Sequence, residues 1–236
     1  MICMRIAIMQ PYFLPYIGYF QLINAVDKFV IYDNIEFTKK GWINRNRILV
    51  HGSDLYITLP IKHDSDFLDI RDRSLADNWP NERRSMLNRI TDTYRKAPKF
   101  DLVYPLIEAC MLFNEKNLFQ FIFHSLTKIN EYLQIKTPLV ISSTITIDHE
   151  LKAGQKVKAC CKALNATEYI NPIGGMALYQ KEDFRASGIT LYFLKSNDVL
   201  YKQFDQAFVP WLSIMDVMMF NSRDVIQQYL TSYELI

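Results

Sequence analysis

The stretch from residue 5 to residue 33, RIAIMQPYFLPYIGYFQLINAVDKFVIYD, decides the fold of this chain. Arg5 to Met9 is short, apolar and bounded by Gln-Pro, which indicates a buried strand. Ile17 to Val26 has apolar residues near helical spacing, and Lys28 to Tyr32 is a second strand with β-branched and aromatic residues. A strand, a helix and a strand within about thirty residues predict a βαβ unit with parallel strands.

Further elements of the same kind follow along the chain. A hairpin is predicted with a turn at residues 51–54, and the α/β pattern resumes with a strand at Leu139 to Ser142. Between them lie three helical segments: Trp79 to Lys96, Leu106 to Phe113 and Leu118 to Leu133. We therefore predict a single α/β domain over residues 1–236, with a Rossmann-like, mostly parallel sheet. A helical insertion, at about residues 78–135, forms a subdomain in the middle of the chain.

Composition excludes several classes of protein. A net charge of +2 on 236 residues is too small for nucleic-acid binding to be the main task. The four cysteines lack paired C-x-x-C spacing and the four histidines lack metal spacing, so we predict reduced thiols, no metal and no cofactor. No apolar run approaches the roughly 20 residues of a spanning helix, and no signal-peptide core is present. We expect a cytoplasmic protein with no membrane span.

Polar and aromatic residues follow the first predicted strand. Ligands of parallel sheets bind at the carboxyl ends of the strands. The group combines an amide, three tyrosines and a glycine: Gln10, Tyr12, Tyr16, Gly18 and Tyr19. The glycine permits close approach to a helix N-terminus, whose unpaired N–H groups favour anions, and tyrosines stack on a base or sugar. The alternative is a structural turn filled by its own aromatic side chains.

A charged loop follows the second predicted strand. Its candidate residues are Asp33, Asn34, Glu36, Lys39, Lys40, Trp42, Asn44, Arg45 and Arg47. Arginine grips phosphate through two hydrogen bonds, and lysine supplies a point charge. In an extended segment Arg45 and Arg47 share one face. We predict that the loop binds a phosphate or carboxylate; the alternative is a solvated basic loop in which Trp42 covers the core.

Two later segments add candidates. The sequence YINPIGG at residues 169–175, followed by Tyr179, predicts a strand whose end presents the amides of Gly174 and Gly175 to an oxyanion or phosphate. A simple strand-to-helix turn is the alternative. Ser213 and Asp216 have the spacing of a helix capping box, and Asp216 is also a candidate for ligand binding.

General-base candidates are few. The linear sequence assembles no Ser-His-Asp or Cys-His triad. Asp33 can act as a base if it is partly buried, and His63, which follows the predicted hairpin, is the best candidate among the histidines.

The pattern Gln10-Pro-x-x-x-Pro-x-x-Gly-Tyr, then Asp33, then Lys-x-x-Trp-x-Asn-Arg ending at Arg45, closely resembles the WbqC-like protein family. The Tyr-Ile-x-x-x-Gly segment before Tyr179 and the segment from Phe208 to Phe220 resemble later parts of the family pattern. One departure is Asn171, which stands where many members carry Ser. Phe13, Pro15, Gly18 and Tyr19 also echo the first-strand motif of adenylyl-transferring enzymes, although both histidines of that motif are absent.

The resemblance implies a function in the synthesis of bacterial surface polysaccharides, where a glycine- or aminoacyl-transfer role on amino sugars has been proposed for the family. We therefore expect a transferase that moves a small acyl or aminoacyl group onto a nucleotide-linked amino sugar, as in O-antigen synthesis. In this hypothesis Lys40, Arg45 and Arg47 hold the diphosphate, Tyr12 and Trp42 contact the base or sugar, and Asp33 or His63 deprotonates the amine.

Two other functions stay open from the sequence. One is a nucleotidylyltransferase-like enzyme that uses ATP. The other is a non-catalytic protein that binds a nucleotide sugar and assists other polysaccharide-biosynthesis enzymes. In each case we expect the partner to be a nucleotide-linked sugar or another phosphorylated small molecule.

Overall fold

The structure, a computed structural model, describes residues 3–205 and 207–236. Strands and helices alternate along these residues. The strands are β1 (Arg5–Met9), β2 (Lys28–Ile31), β3 (Arg45–Val50), β4 (Ser53–Thr58), β5 (Leu139–Ile141), β6 (Glu168–Pro172), β7 (Thr190–Ser196) and β8 (Tyr233–Leu235). The α-helices are α1 (Ile17–Asn24), α2 (Trp79–Tyr94), α3 (Phe100–Leu112), α4 (Leu118–Tyr132), α5 (Ala153–Ala163), α6 (Lys181–Arg185), α7 (Ile214–Phe220) and α8 (Arg223–Leu230).

A six-stranded sheet in the order β5-β2-β1-β6-β7-β8 forms the centre of the molecule. Its first five strands are parallel, and only the edge strand β8 runs antiparallel to β7. β3 and β4 form a separate antiparallel hairpin. The predicted α/β fold with a mostly parallel, Rossmann-like sheet is confirmed.

The helices cover both faces of the sheet. β1 connects through α1 to β2 on one side, whereas β5 connects through α5 to β6 on the other side of β1. Right-handed crossovers in opposite directions place their helices on opposite faces. The side chains of β1 alternate accordingly: Ala7 belongs to the apolar cluster that includes α1, and Ile6 and Ile8 belong to the cluster that includes α5. The strand order therefore reverses between β1 and β6.

The helical insertion is confirmed and packs against the same core as the sheet. α2, α3 and α4 contribute to the apolar cluster that also contains α1, α7 and α8. Among residues 3–205 and 207–236, no helix has both the length and the apolar character that crossing a bilayer requires.

Element boundaries differ from the predicted ones at several places. The hairpin begins at Arg45, two residues before Arg47, where the sequence predicts its start. α3 begins at Phe100 rather than Leu106, and Pro105 lies inside it, where proline usually marks a boundary. β8 was not predicted, because three residues carry too little periodicity to be recognised.

Candidate functional site

A cleft of about 600 Å³ opens at the carboxyl ends of β1 and β6, where the strand order reverses. Ligands of doubly wound sheets bind in this crevice. Its wall from the first half of the chain consists of Ile8, Met9, Gln10, Tyr12, Tyr16, Gly18, Tyr19, Leu22, Tyr32, Ile35 and Trp42. The opposite wall consists of Asn171, Pro172, Ile173, Gly174, Gly175, Leu178, Tyr179 and Leu194.

The loop between β1 and α1 is held by distant residues. Leu14 has a left-handed backbone (φ 43°), and its carbonyl oxygen accepts hydrogen bonds from Asn46 Nδ2 and Ser213 Oγ, both at 2.8 Å. The Tyr19 hydroxyl donates to the Gln10 carbonyl oxygen at 2.8 Å. These contacts fix the loop so that its amide and aromatic side chains line the cleft.

The N-terminus of α1 lies at this wall of the cleft. Tyr16 occupies the N-cap position without making a side-chain cap, and the first turn carries no acidic residue. The first-turn N–H groups of a helix lack intrahelical partners and favour negative charge. Tyr16 folds over Gly18, where an added Cβ would lie 2.3 Å from the ring. Glycine is therefore required for this position of the Tyr16 ring.

On the opposite wall, too, a side chain lies over a glycine. Asn171 Oδ1 accepts a hydrogen bond from the Tyr169 hydroxyl at 3.0 Å, which orients the amide. Asn171 Nδ2 lies directly over Gly175, where an added Cβ would approach it to 1.8 Å. The chain then continues as a 3-10 turn, Ile173–Leu178, whose exposed apolar residues border the cleft.

The side chains lining the cleft are uncharged. In the part of the chain that the structure describes, no Lys, Arg, Asp, Glu or His lines it. Burial raises the pKa of Tyr12, Tyr16 and Tyr179, so their hydroxyls stay protonated at neutral pH. The cleft therefore offers aromatic faces, two side-chain amides and neutral hydroxyl groups.

The charged side chains of the basic loop contact other groups of the protein. Arg45 donates from Nε to the Gly41 carbonyl oxygen at 2.9 Å and also donates to the Lys40 carbonyl; its guanidinium lies 4.8 Å from the Tyr56 ring centroid. Lys39 pairs with Asp66 at 2.6 Å. These side chains, and exposed Lys40, do not line the cleft.

Arg47 and Asn44 also make internal contacts. Arg47 donates from Nη1 to Asp54 at 3.2 Å and from Nη2 to the Trp211 carbonyl oxygen at 3.1 Å. Asn44 donates to the Leu59 carbonyl oxygen at 2.9 Å. Arg45 and Arg47 share a face of β3, as predicted from their spacing, and both guanidinium groups lie about 6 Å from the Trp42 ring.

Asp33 lies at the end of β2 but faces the neighbouring strand. It is 3% exposed and accepts hydrogen bonds from the Ser143 N–H at 2.8 Å and from the Ser143 hydroxyl at 2.5 Å. Its carboxylate thereby joins β2 to the turn after β5. Glu36 is exposed and pairs through its backbone with Asp69.

Asn34 is at the centre of a polar network that sequence patterns did not reveal. Asn34 Nδ2 lies 2.9 Å from His149 Nδ1, and His149 Nε2 lies 3.0 Å from the Ile145 carbonyl oxygen. Ser142 donates to Asn34 Oδ1 at 2.8 Å, and buried Lys156 donates to the Asn34 carbonyl oxygen at 3.1 Å. Because both nitrogens of His149 are engaged, this ring positions the strand ends. Asn34 and His149 are separated by 115 residues, so their spacing in the sequence did not indicate this contact.

The remaining candidates lie elsewhere. His63 is exposed in the loop after the hairpin and does not line the cleft. Asp216 is completely buried and accepts hydrogen bonds from Tyr94 at 2.7 Å, Tyr201 at 2.6 Å and Gln203 at 2.7 Å. Ser213 caps α7, as predicted, by accepting from the Met215 N–H.

Burial disfavours chemistry at three of the four cysteines. Cys110, Cys160 and Cys161 are buried free thiols, and burial raises the pKa of Cys110 and Cys161 to about 12 and that of Cys160 to about 11. A thiol with such a pKa is a poor nucleophile at neutral pH.

The structure thus brings together one subset of the predicted site residues. The subset that lines the cleft is Gln10, Tyr12, Tyr16, Gly18, Tyr19, Trp42, Gly174, Gly175 and Tyr179. Tyr32, which directly follows β2, joins them although its sequence pattern did not single it out. Its position directly after an apolar strand is the signal that could have found it.

The chain is similar to known proteins over most of its length. The model of the WbqC-like protein family matches residues 10–228, which include all residues that line the cleft except Ile8 and Met9. The chain is 29% identical over 232 residues to "Uncharacterized protein Rv1507c" of Mycobacterium tuberculosis (strain ATCC 25618 / H37Rv), covering 96% of this chain and 97% of that protein. No solved structure shows significant similarity to the chain. Because the family match spans nearly the whole chain, this protein belongs to the WbqC-like protein family.

Proposed function

We propose that this protein is a transferase of bacterial surface polysaccharide synthesis that moves a small acyl or aminoacyl group onto a nucleotide-linked amino sugar. The observation that carries the proposal is the uncharged cleft of aromatic and amide side chains at the reversal of strand order. Family membership supports the polysaccharide setting.

The lining of the cleft suits a sugar. A pyranose ring has apolar C–H faces, which pack on aromatic rings, and peripheral hydroxyl groups, which pair with amides and hydroxyls. Tyr12 and Trp42 supply rings, and Gln10 and Asn171 supply amides on opposite walls. A volume of about 600 Å³ is in the range of small-molecule sites.

Backbone groups, rather than the arginines of the basic loop, are proposed to hold the phosphates. The unpaired N–H groups at the start of α1 border the cleft on one side, and Gly174 and Gly175 border it on the other. Helix N-termini and successive backbone amides bind phosphate oxygens without a cationic side chain. Arg45 donates to a carbonyl group of the loop itself, and Lys39 is paired with Asp66.

In the proposed reaction the amine nitrogen of the sugar attacks the carbonyl carbon of an activated acyl ester or thioester. The new amide bond forms as the bond to the alcohol or thiol leaving group breaks, and the amine proton passes to the leaving group. The described lining residues include no carboxylate or imidazole, so alignment of the two reactants is the main contribution expected from the protein. Protonated tyrosine hydroxyls are available to stabilise the developing oxyanion.

The same observation favours a second candidate. A protein without an ionisable base among the described cleft residues is also suited to hold a nucleotide sugar for a partner enzyme of the same synthesis. In this alternative the cleft binds the same ligand but the isolated chain does not catalyse the transfer. No contact of the described residues favours the ATP-using alternative over these two.

Thermal shift against UDP-, dTDP- and GDP-linked sugars tests ligand binding. A ligand that binds only the folded state stabilises it by about 2.7 kcal/mol at a hundred times its Kd, so the melting temperature should rise with the cognate nucleotide sugar. Mass spectrometry of the nucleotide amino sugar after incubation with acyl and aminoacyl donors then separates the two candidates. Amide formation by the purified chain supports the transferase, binding without turnover supports the accessory protein, and no shift with any nucleotide sugar contradicts both.

A further inference from the structure

A second, smaller cavity of about 240 Å³ adjoins the cleft and shares three of its aromatic residues, Tyr12, Tyr16 and Trp42. Pro15, Asn46, Arg47 and Trp211 complete its walls. We name this cavity, bounded by these seven residues, the aromatic box. Because the two cavities share three aromatic residues, the box and the cleft are adjacent.

Trp211 is held against the box in a strained conformation. Its backbone is left-handed (φ 62°), which is rare for a large aromatic residue and is found mainly where the surrounding structure imposes it. Arg47 donates to the Trp211 carbonyl oxygen at 3.1 Å, and the Tyr16 ring packs edge-on at 5.9 Å between centroids. The Trp211 side chain nevertheless stays 56% exposed. The fold therefore holds a large apolar ring at the surface, beside an aromatic cavity, instead of burying it.

Arg47 leaves one donor unused in the wall of the box. Its Nη1 and Nη2 donate to Asp54 and to the Trp211 carbonyl, whereas its Nε is buried and has no hydrogen-bond partner among the described residues. A buried donor without a partner is costly and uncommon in folded proteins. The guanidinium lines the box and carries five N–H donors, so this side chain has N–H groups to spare for an acceptor that a ligand places there.

These features favour a flat ring with an acceptor at its edge. A nucleobase offers two π faces for the aromatic walls and carbonyl or ring-nitrogen acceptors for a single donor. A sugar ring is a poorer fit, since it would bury several hydroxyl groups in a cavity with few polar partners. The chemistry of the box thus differs from that of the cleft, which has amides on both walls.

We propose that the aromatic box binds the nucleobase of the nucleotide-linked sugar while the sugar lies in the cleft, with Trp211 as a stacking platform and Arg47 as the donor to the base. This inference rests on the proposed function, and it adds the position of the base and a residue, Trp211, that determines recognition of the nucleotide.

Trp211→Gly tests the proposal without endangering the fold, because glycine adopts a positive φ freely. The ligand is the nucleotide sugar with the largest thermal shift among the UDP-, dTDP- and GDP-linked sugars, and the second ligand is the corresponding sugar 1-phosphate, which lacks the base. We expect calorimetry to show that Trp211→Gly weakens binding of the nucleotide sugar by roughly 5- to 150-fold, the range for loss of one stacked base. Binding of the sugar 1-phosphate should be unchanged.

Phe67→Ala is the matched control, since Phe67 is an 81% exposed aromatic residue that does not line the box. Its Kd for the nucleotide sugar should equal that of the unmodified chain. Equal affinity of Trp211→Gly and the unmodified chain for the nucleotide sugar would overturn the inference and leave the proposed function standing. An equal loss for the sugar 1-phosphate would also overturn it, and failure of the unmodified chain to bind any nucleotide sugar would overturn both.

Discussion

Gly18 and Gly175 each lie beneath a side chain that lines the cleft, the Tyr16 ring in one case and the Asn171 amide in the other. In both cases the absence of a Cβ lets the functional group lie flat on the backbone. The two glycines therefore serve the position of a neighbouring side chain, in addition to any direct contact with ligand. Sequence patterns identified both glycines and Tyr16 as candidates, but not that a side chain packs over each glycine.

Gly175→Ala should weaken ligand binding without unfolding the protein. The new Cβ would lie 1.8 Å from Asn171 Nδ2, so the amide must leave its position in the cleft wall. Loss of one hydrogen bond to an uncharged ligand group costs about 0.5–1.5 kcal/mol, which is roughly a two- to tenfold increase in Kd by calorimetry.

Met176→Ala is the control for this substitution. Met176 lies in the same turn, is exposed and does not line the cleft. Its Kd for the nucleotide sugar should stay close to that of the unmodified chain. Equal effects of the two substitutions would show that the position of the Asn171 amide does not matter for binding.

Single residues also show why part of the site could be predicted from the sequence and part could not. Gln10 and Tyr12 follow directly after a recognisable strand, so the rule for strand ends located them correctly in the cleft. Lys39 belonged to an equally suggestive loop, but it pairs with Asp66. Contacts of that kind depend on the path of the chain and leave no mark in local spacing.

At the scale of elements, α7 joins the hairpin, the helical insertion and the β1–α1 loop. Ser213 at its start donates through its hydroxyl to the Leu14 carbonyl, and Asp216 in its first turn accepts from three buried donors. The capping signal in the sequence located the start of this helix correctly. It did not reveal that Asp216 turns into the core, because its donors Tyr94, Tyr201 and Gln203 come from other segments.

Asp216→Asn should change how stability depends on pH. Burial raises the pKa of Asp216 above its ordinary value of 3.8, against the effect of its three donors. Between the ordinary and the raised value the native state binds more protons than the unfolded state, so the free energy of unfolding falls as pH rises. One such group contributes a slope of at most about 1.4 kcal/mol per pH unit.

Urea unfolding of the unmodified chain and of Asp216→Asn, from about pH 3.5 to pH 7, measures this slope. Just above pH 3.8, the free energy of unfolding of the unmodified chain should fall as pH rises, relative to that of Asp216→Asn. Gln180→Ala, which changes an exposed and uncharged side chain, is the control, and its difference in free energy of unfolding from the unmodified chain should be the same at each pH. A pH-independent difference for Asp216→Asn would contradict the assignment.

At the scale of the whole molecule, the doubly wound sheet creates the crevice, and the helical insertion shares an apolar cluster with that sheet. The first βαβ unit was predictable, because strand and helix periodicity are both strong there. The place where the strand order reverses was not, since it depends on the return of the chain from β5 across β2 and β1 to β6. That return brings Asn171 and Gly175 opposite Gln10 and Tyr16.

Tyr94→Phe tests whether the insertion and the sheet unfold together. The Tyr94 hydroxyl, at the end of α2, donates to Asp216 at 2.7 Å and accepts from the Leu49 N–H at 3.0 Å. Its removal leaves buried groups without a partner, so we expect a loss of about 1–3 kcal/mol in the free energy of unfolding.

Because the insertion shares one apolar cluster with the sheet, unfolding should remain a single transition by circular dichroism and by tryptophan fluorescence.

Tyr104→Phe is the matched control, since the Tyr104 hydroxyl donates to Glu108 one turn later on the same helix. Its effect should stay below about 0.5 kcal/mol, as expected for a local surface contact. Separate transitions by the two probes in the unmodified chain would instead show that the helical insertion is an independent unit.

The location of the ligand is tested most directly by calorimetric titration of the cognate nucleotide sugar into two double variants. Gln10→Ala with Asn171→Ala removes the amides from both walls of the cleft, whereas Lys39→Ala with Arg45→Ala removes two charges from the basic loop. We predict roughly a 5- to 150-fold increase in Kd for the cleft variant, by the loss of two hydrogen bonds, and little change for the loop variant. Unchanged affinity of the cleft variant together with lost affinity of the loop variant would contradict the account and place the ligand on the loop.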